Sequence, residues 1–111
     1  MDKIKFEDWK KVEIKVGQIK SIERVPDTDK LYKLQVDIGE EKTRQVITGL
    51  VPYYSEEELK NKKIIVVTNL EPAKFKGEDS QAMLLAATNK EKGKVVILTV
   101  EKDVEVGTLI T

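Results

Sequence analysis

Between Tyr32 and Ile38 every second residue is apolar, and the residues between them are Lys33, Gln35 and Asp37. That period of two is the pattern of a strand with one buried face. Pro26-Asp27-Thr28-Asp29 precedes the segment and Gly39-Glu40-Glu41 follows it, both turn sequences. Upstream, Val12, Ile14 and Val16 alternate with Glu13 and Lys15, and downstream Thr43 to Thr48 forms a returning strand. Short turns on both sides predict a three-stranded antiparallel meander. In the first strand the apolar set changes phase across Gly17, continuing as Ile19, Ile22 and Val25. A glycine at such a slip predicts a β-bulge or sharp bend in a long curved strand, of the kind a small closed barrel requires.

After Gly49-Leu50-Val51-Pro52, the sequence Ser55-Glu56-Glu57-Glu58 has the form of a capping box, and Asn61 is a suitable stop one to two turns later. Ile64 to Val67 is a continuous β-branched run, which predicts a strand buried on both faces. Glu71 to Asp79 is predicted as a long loop, Gln81 to Thr88 as a fifth strand, and Val95–Val100 and Val104–Ile110 as two further β segments. Phe6 and Trp9, three apart, share one face of a short helical turn. Three meander strands, a short helix and two more strands is the order of an all-β OB-fold, a five-stranded Greek-key barrel with its helix between strands 3 and 4. The whole chain, 1–111, is expected to be one domain, with the barrel in 1–88 and added C-terminal strands in 89–111. Those strands either wrap back on their own barrel or form a dimer interface. In the second arrangement Phe6, Trp9, Val95, Ile97, Val104 and Leu109 are the dimerisation residues.

Composition narrows the function. The 111 residues include neither His nor Cys, which excludes disulfides, thiolate nucleophiles, Cys/His zinc sites and a Ser–His–Asp triad. No paired-carboxylate motif stands out, so no catalytic residue, metal site or cofactor is expected. No apolar run is long enough to cross a bilayer, and the charged N-terminus does not resemble a signal peptide, so a cytoplasmic protein without membrane attachment is expected. Charge rich in Lys and Glu, with no Cys, matches the bias of thermophile proteins.

Twenty Lys plus Arg balance twenty Asp plus Glu. A zero sum gives no general support to a polyanion partner, so nucleic-acid binding requires local basic groups. An OB-fold would gather Lys30, Lys33, Lys42, Arg44, Lys74 and Lys76 on one side. The acids Glu56, Glu57 and Glu58 would lie on the helix, with Glu101, Asp103 and Glu105 near the C-terminus. The bland counterpart is a solvated surface of mixed sign. Aromatic residues make up 5% of the chain, too few for generic single-strand binding by base stacking. That favours a partner recognised by shape and phosphates, such as folded RNA.

The stretches VPDTDKLYKLQVDIGEEKTRQVITGL and YYSEEELKNKKIIVVTNLEPAKFKGEDSQAMLLAA resemble the EMAP II-like tRNA-binding domain. The P-x-x-D-K-L element falls on Pro26, Asp29, Lys30 and Leu31, and V-D-x-G-E on Val36, Asp37, Gly39 and Glu40. R-Q-V/I-x-x-G-L falls on Arg44, Gln45, Val46, Gly49 and Leu50. N-L-x-P-x-K falls on Asn69, Leu70, Pro72 and Lys74, and S-x-G-M-x-L-A-A on Ser80, Met83, Leu85, Ala86 and Ala87. Ala82 stands where the family usually has Gly. That family occurs as a free-standing dimer and as the C-terminal domain or beta subunit of methionyl-tRNA synthetase. The resemblance implies a non-catalytic homodimer that binds the L-shaped tRNA with little sequence specificity and assists aminoacylation, with a synthetase catalytic subunit as a further partner. Carried over residue by residue, it implies tRNA contacts at Lys30, Lys33, Arg44, Asn69, Lys74, Lys76, Ser80 and Met83. A related dimeric export-chaperone family shares fold and length, which makes a protein-binding module the alternative.

Overall fold

Strand β1, Ile14–Arg24, is eleven residues long and serves two neighbours in succession. Ile14 to Gln18 pair antiparallel with β4, Lys63–Val67, whereas Gln18 to Arg24 pair with β2, Tyr32–Asp37. This computed structural model describes all residues, Met1–Thr111. β2 pairs in turn with β3, Arg44–Thr48, completing the predicted meander. The remaining elements are α1 (Phe6–Trp9), α2 (Glu56–Leu59), β5 (Ala73–Phe75), β6 (Glu78–Ser80), β7 (Met83–Leu84), β8 (Ala86–Asn89) and β9 (Lys94–Ile97). The main sheet has the order β3-β2-β1-β4-β7. Its ends approach each other at Gln81, whose amide donates to the Gln45 carbonyl at 2.7 Å and whose side-chain oxygen accepts from the Gln45 amide at 2.9 Å. The result is a nearly closed five-stranded barrel of OB type, with α2 between the third and fourth strands as expected.

The bend of β1 differs in detail from the expectation. The β1–β2 register shifts between Ile19 and Ser21, so the bulge lies at Lys20 and not at Gly17. Gly17 answers a different need. A Cβ there would lie 2.8 Å from Val36 Cγ1 and 2.9 Å from Val66 Cγ2. Both valines are fully buried and stiff at χ1, so neither can yield. Gly17→Ala is expected to cost about 1.5 kcal/mol by overpacking, read from the denaturant midpoint at unchanged m.

Two apolar cores share β4. Ile64 and Val66 point into the barrel with Ile19, Leu34, Val36 and Val46. Ile65 and Val67 point outward into a smaller core with Ile14, Val16, Leu85, Val100 and Val104. This explains the unbroken β-branched run, because successive side chains of a strand face opposite sides and here both sides are covered. At the barrel end, α2 buries only Leu59. Its capping box is formed in both directions: Ser55 Oγ accepts from the Glu58 amide at 3.2 Å, and a Glu58 carboxylate oxygen accepts from the Ser55 amide at 2.9 Å. Asn61 takes the left-handed conformation that ends the helix, at φ 64°.

Three other expectations need correction. The predicted loop 71–79 contains the β5–β6 hairpin. The predicted fifth strand is split: Met83 and Leu84 close on β4, then Ala86–Asn89 turn away to pair with β9. Val104–Ile110 is not a strand, and touches the sheet through one bridge between Lys15 and Leu109. It nevertheless covers the edge of β1 that β2 leaves open. The Gly107 amide donates to Val16 O at 2.8 Å, the Val16 amide to Thr108 O at 2.9 Å, and the Ile110 amide to Ile14 O at 2.8 Å. Covering a strand edge in this way removes a site for unwanted pairing.

Candidate nucleic-acid interface

The β5–β6 hairpin rises between β4 and β7 and folds onto β3. It turns through Lys76 (φ 52°) and Gly77 (φ 80°), two left-handed residues in a row, as in a type I′ hairpin. Ser80 anchors its base: buried Oγ accepts from the Ile47 amide at 3.0 Å and donates to the Ala82 carbonyl at 3.0 Å. Gln45 Nε2 donates to the Asp79 carbonyl at 2.9 Å. The hairpin thus lies over part of the β2–β3 face, where an OB-fold typically binds its oligonucleotide.

The basic residues divide into two groups. Lys33 reaches Glu23 and Glu78, each at 3.3 Å, and its pKa is raised, first by the hydrogen bond to Glu23 and then by that to Glu78. Arg44 forms a fork with Glu40, at 3.1 Å from Nε and 2.9 Å from Nη2. Its Nη1 donates to the Gln81 carbonyl at 3.2 Å and also to the Thr68 carbonyl. The same hydrogen bonding holds the Glu40 carboxyl below the usual range and raises the Arg44 pKa. Both cations are half-buried and occupied within the fold. Lys30 and Lys76 are exposed and in no ion pair, and so is Lys42. Lys74 has an exposed partner, Asp79, at 3.5 Å.

Asn69 is engaged through both its amide oxygen and its amide nitrogen at the root of the hairpin. Its Oδ1 accepts from the Glu13 amide at 2.7 Å and its Nδ2 donates to the Lys11 carbonyl. Beside it, Thr68 Oγ1 donates to the Glu13 carboxylate at 2.6 Å, the first cause of that carboxyl's lowered pKa. Glu13 and Glu40 are therefore most stabilising as carboxylates. Their contribution is complete above about pH 5 and is lost as pH falls through the lowered values of the folded state.

Met83 is exposed and lines a recess of about 130 Å³ with Leu70, Phe75, Ile47, Ala82 and Ser80. Leu70 and Phe75 are not among the residues expected to contact RNA, because the segment carrying Phe75 reads as loop. The alternation of Ala73 and Phe75 on one side, followed by a Lys-Gly turn, was the available signal. Ala82 has ordinary backbone geometry, so nothing in its φ asks for glycine.

The six expected dimerisation residues separate as well. Phe6, Trp9 and Leu109 come together with Val12, Ile14 and Ile110 around an apolar groove of about 500 Å³. Val95 and Ile97 instead pack on the barrel core, leaving Val96 and Leu98 outward, and Val104 belongs to the outer core. Val95 and Ile97 turn inward by the side-chain alternation along β9, and Val104, which lies in no strand, packs against the outward face of β4 and β1.

The comparisons with known proteins agree with this architecture. A family described as "Putative tRNA binding domain" matches residues 14–109. The chain is 50% identical, over all of its 111 residues, to a Methionine–tRNA ligase of Caldanaerobacter subterraneus subsp. tengcongensis, of which it spans 17%. Among solved structures, the MetRS related protein from Pyrococcus horikoshii matches at TM-score 0.91 and 40% identity, with 100% of both chains covered. The chaperone CsaA of Bacillus anthracis str. Ames matches at TM-score 0.87 and 26% identity, covering 99% of this chain and 100% of that one. No helix is long and apolar enough to cross a membrane.

Proposed function

The chain belongs to the tRNA-binding domain family, and from that premise we propose that it binds folded tRNA without catalysing a reaction, assisting aminoacylation by a methionyl-tRNA synthetase in the cytoplasm. The observation that carries this reading is full-length likeness to a segment of a Methionine–tRNA ligase combined with two exposed cations, Lys74 and Lys76, on the hairpin. In it, Lys30, Lys74 and Lys76 contact phosphates, Met83 packs on a sugar or base, and Ser80 uses its remaining lone pair toward a 2′-hydroxyl. Lys33, Arg44 and Asn69 act through the fold, holding the hairpin and its root in place. Two copies meet through the groove of Phe6, Trp9 and Leu109, so that a modest single-site affinity is raised by avidity.

Lys30→Glu is expected to weaken tRNA binding about tenfold and to lower the salt slope by about one. Gel shifts with total tRNA across a salt series, beside a sizing column, check both partner and dimer. Unchanged affinity and slope in a folded variant would place the binding face elsewhere. The second reading, a module that holds unfolded chains, is favoured by the CsaA likeness and the apolar recess. It requires that an unfolded polypeptide bind and that tRNA fail to displace it.

A further inference from the structure

Phe75 presents its ring to solvent from the hairpin, 44% exposed, and the two other large apolar side chains at the recess, Leu70 and Met83, are open to a similar degree. Three such residues around one depression form a coherent apolar surface that no other part of this chain covers. The recess is lined below by Ile47 and Ala82, and its volume of about 130 Å³ suits one flat ring system better than a length of chain. Its polar atom, buried Ser80 Oγ, already donates to the Ala82 carbonyl and accepts from the Ile47 amide, which leaves it a single lone pair for a ligand. Recognition here therefore rests on stacking and apolar contact more than on hydrogen-bond readout, which makes it tolerant of base identity. On either side of the ring in sequence stand Lys74, weakly paired in solvent, and Lys76, unpaired at the turn. An aromatic platform with adjacent cations is the arrangement that holds an unstacked base and the phosphates beside it.

We propose that Phe75 is the stacking platform for one unpaired base of the bound RNA, with Met83 and Leu70 closing around that base and Lys76 meeting a flanking phosphate. This rests on the tRNA-binding reading and adds to it a specific feature of the ligand: a base free to leave its stack at the point of contact. A fully paired helix offers none.

Three variants and two ligands test it, using the whole chain. Phe75→Ala and Phe75→Leu are each expected to weaken binding of total tRNA about tenfold while leaving the salt slope unchanged, because no phosphate contact is lost. Phe75→Trp is expected to keep wild-type affinity, and its indole emission to be quenched by tRNA beyond any change seen from Trp9 in the wild type. Circular dichroism confirms that each variant is folded. Wild-type affinity in Phe75→Leu would overturn the proposal, since apolar bulk would then suffice. So would unchanged tRNA binding in Phe75→Ala, or loss there of binding to an unfolded apolar polypeptide instead of tRNA, which would assign the recess to a protein chain. If the wild type bound no tRNA, the proposed function would fall together with this inference; tRNA binding that is indifferent to Phe75 overturns the inference alone.

Discussion

Arg44→Ala is expected to lower stability by about 3 kcal/mol, and the Tm by more than 10 °C. The guanidinium closes three connections at once. It forks onto Glu40 and donates to the carbonyls of Thr68 and Gln81, which lie on either side of the β5–β6 hairpin. The Glu40 pair is partly open to solvent, with 42% of the Glu40 side chain exposed, so screening leaves it a small share. Most of the effect comes from Thr68, a buried residue whose carbonyl loses a charged donor. Thermal melts measure the first consequence. The second is functional: tRNA affinity should fall because the hairpin is no longer held, yet the salt slope should hold. A stable variant whose slope drops by about one would show instead that Arg44 touches a phosphate.

Trp9→Glu is expected to act on assembly and leave the fold alone. Helix α1 buries none of its residues in the protomer, so nothing inside the barrel depends on that indole. In the proposed dimer the same indole lies with Phe6 and Leu109 in the shared groove, and a carboxylate there would be desolvated without a partner. The dimer should weaken by 100-fold or more, the scale set by central aromatic anchors. Sedimentation should then report a 12.6 kDa monomer. The Tm extrapolated to low protein concentration should match the wild type, and tRNA affinity should decline with the lost avidity. A wild-type chain that is already monomeric would remove the basis for this expectation.

The sequence was most legible where a local rule determined the outcome. Ser55 and Glu58 state their cap in four residues, and the alternation Tyr32 to Ile38 gives a strand with its inward face. The double burial of Ile64 to Val67 was visible too, although its cause, a second core formed with Val100 and Val104, was not. Legibility failed where the deciding partner is distant. Lys33 and Lys30 look equally free in sequence, but Glu78, forty-five positions from Lys33, neutralises only the former. Arg44 matches a motif associated with RNA and spends its donors on Glu40 and two backbone carbonyls. The hairpin at 73–80 was hidden because each strand is three residues long and its turn begins with Lys in a left-handed conformation that glycine or asparagine would advertise. Val104–Ile110, expected as a further β segment, instead satisfies itself on β1 through a few amides and one bridge.

The balanced charge of the chain has a physical consequence for binding. With Lys33 and Arg44 internally paired, the face keeps fewer free cations than its six basic residues suggest, and the chain as a whole is neutral, so affinity must come from fit to a folded surface more than from bulk attraction. Comparing whole tRNA with an unstructured RNA of equal length, across a range of salt, tests this most directly. Clearly tighter binding to tRNA is expected at every salt concentration, with affinity for both falling as salt rises. Equal affinity for the two RNAs, or no tRNA binding at physiological salt, would contradict it.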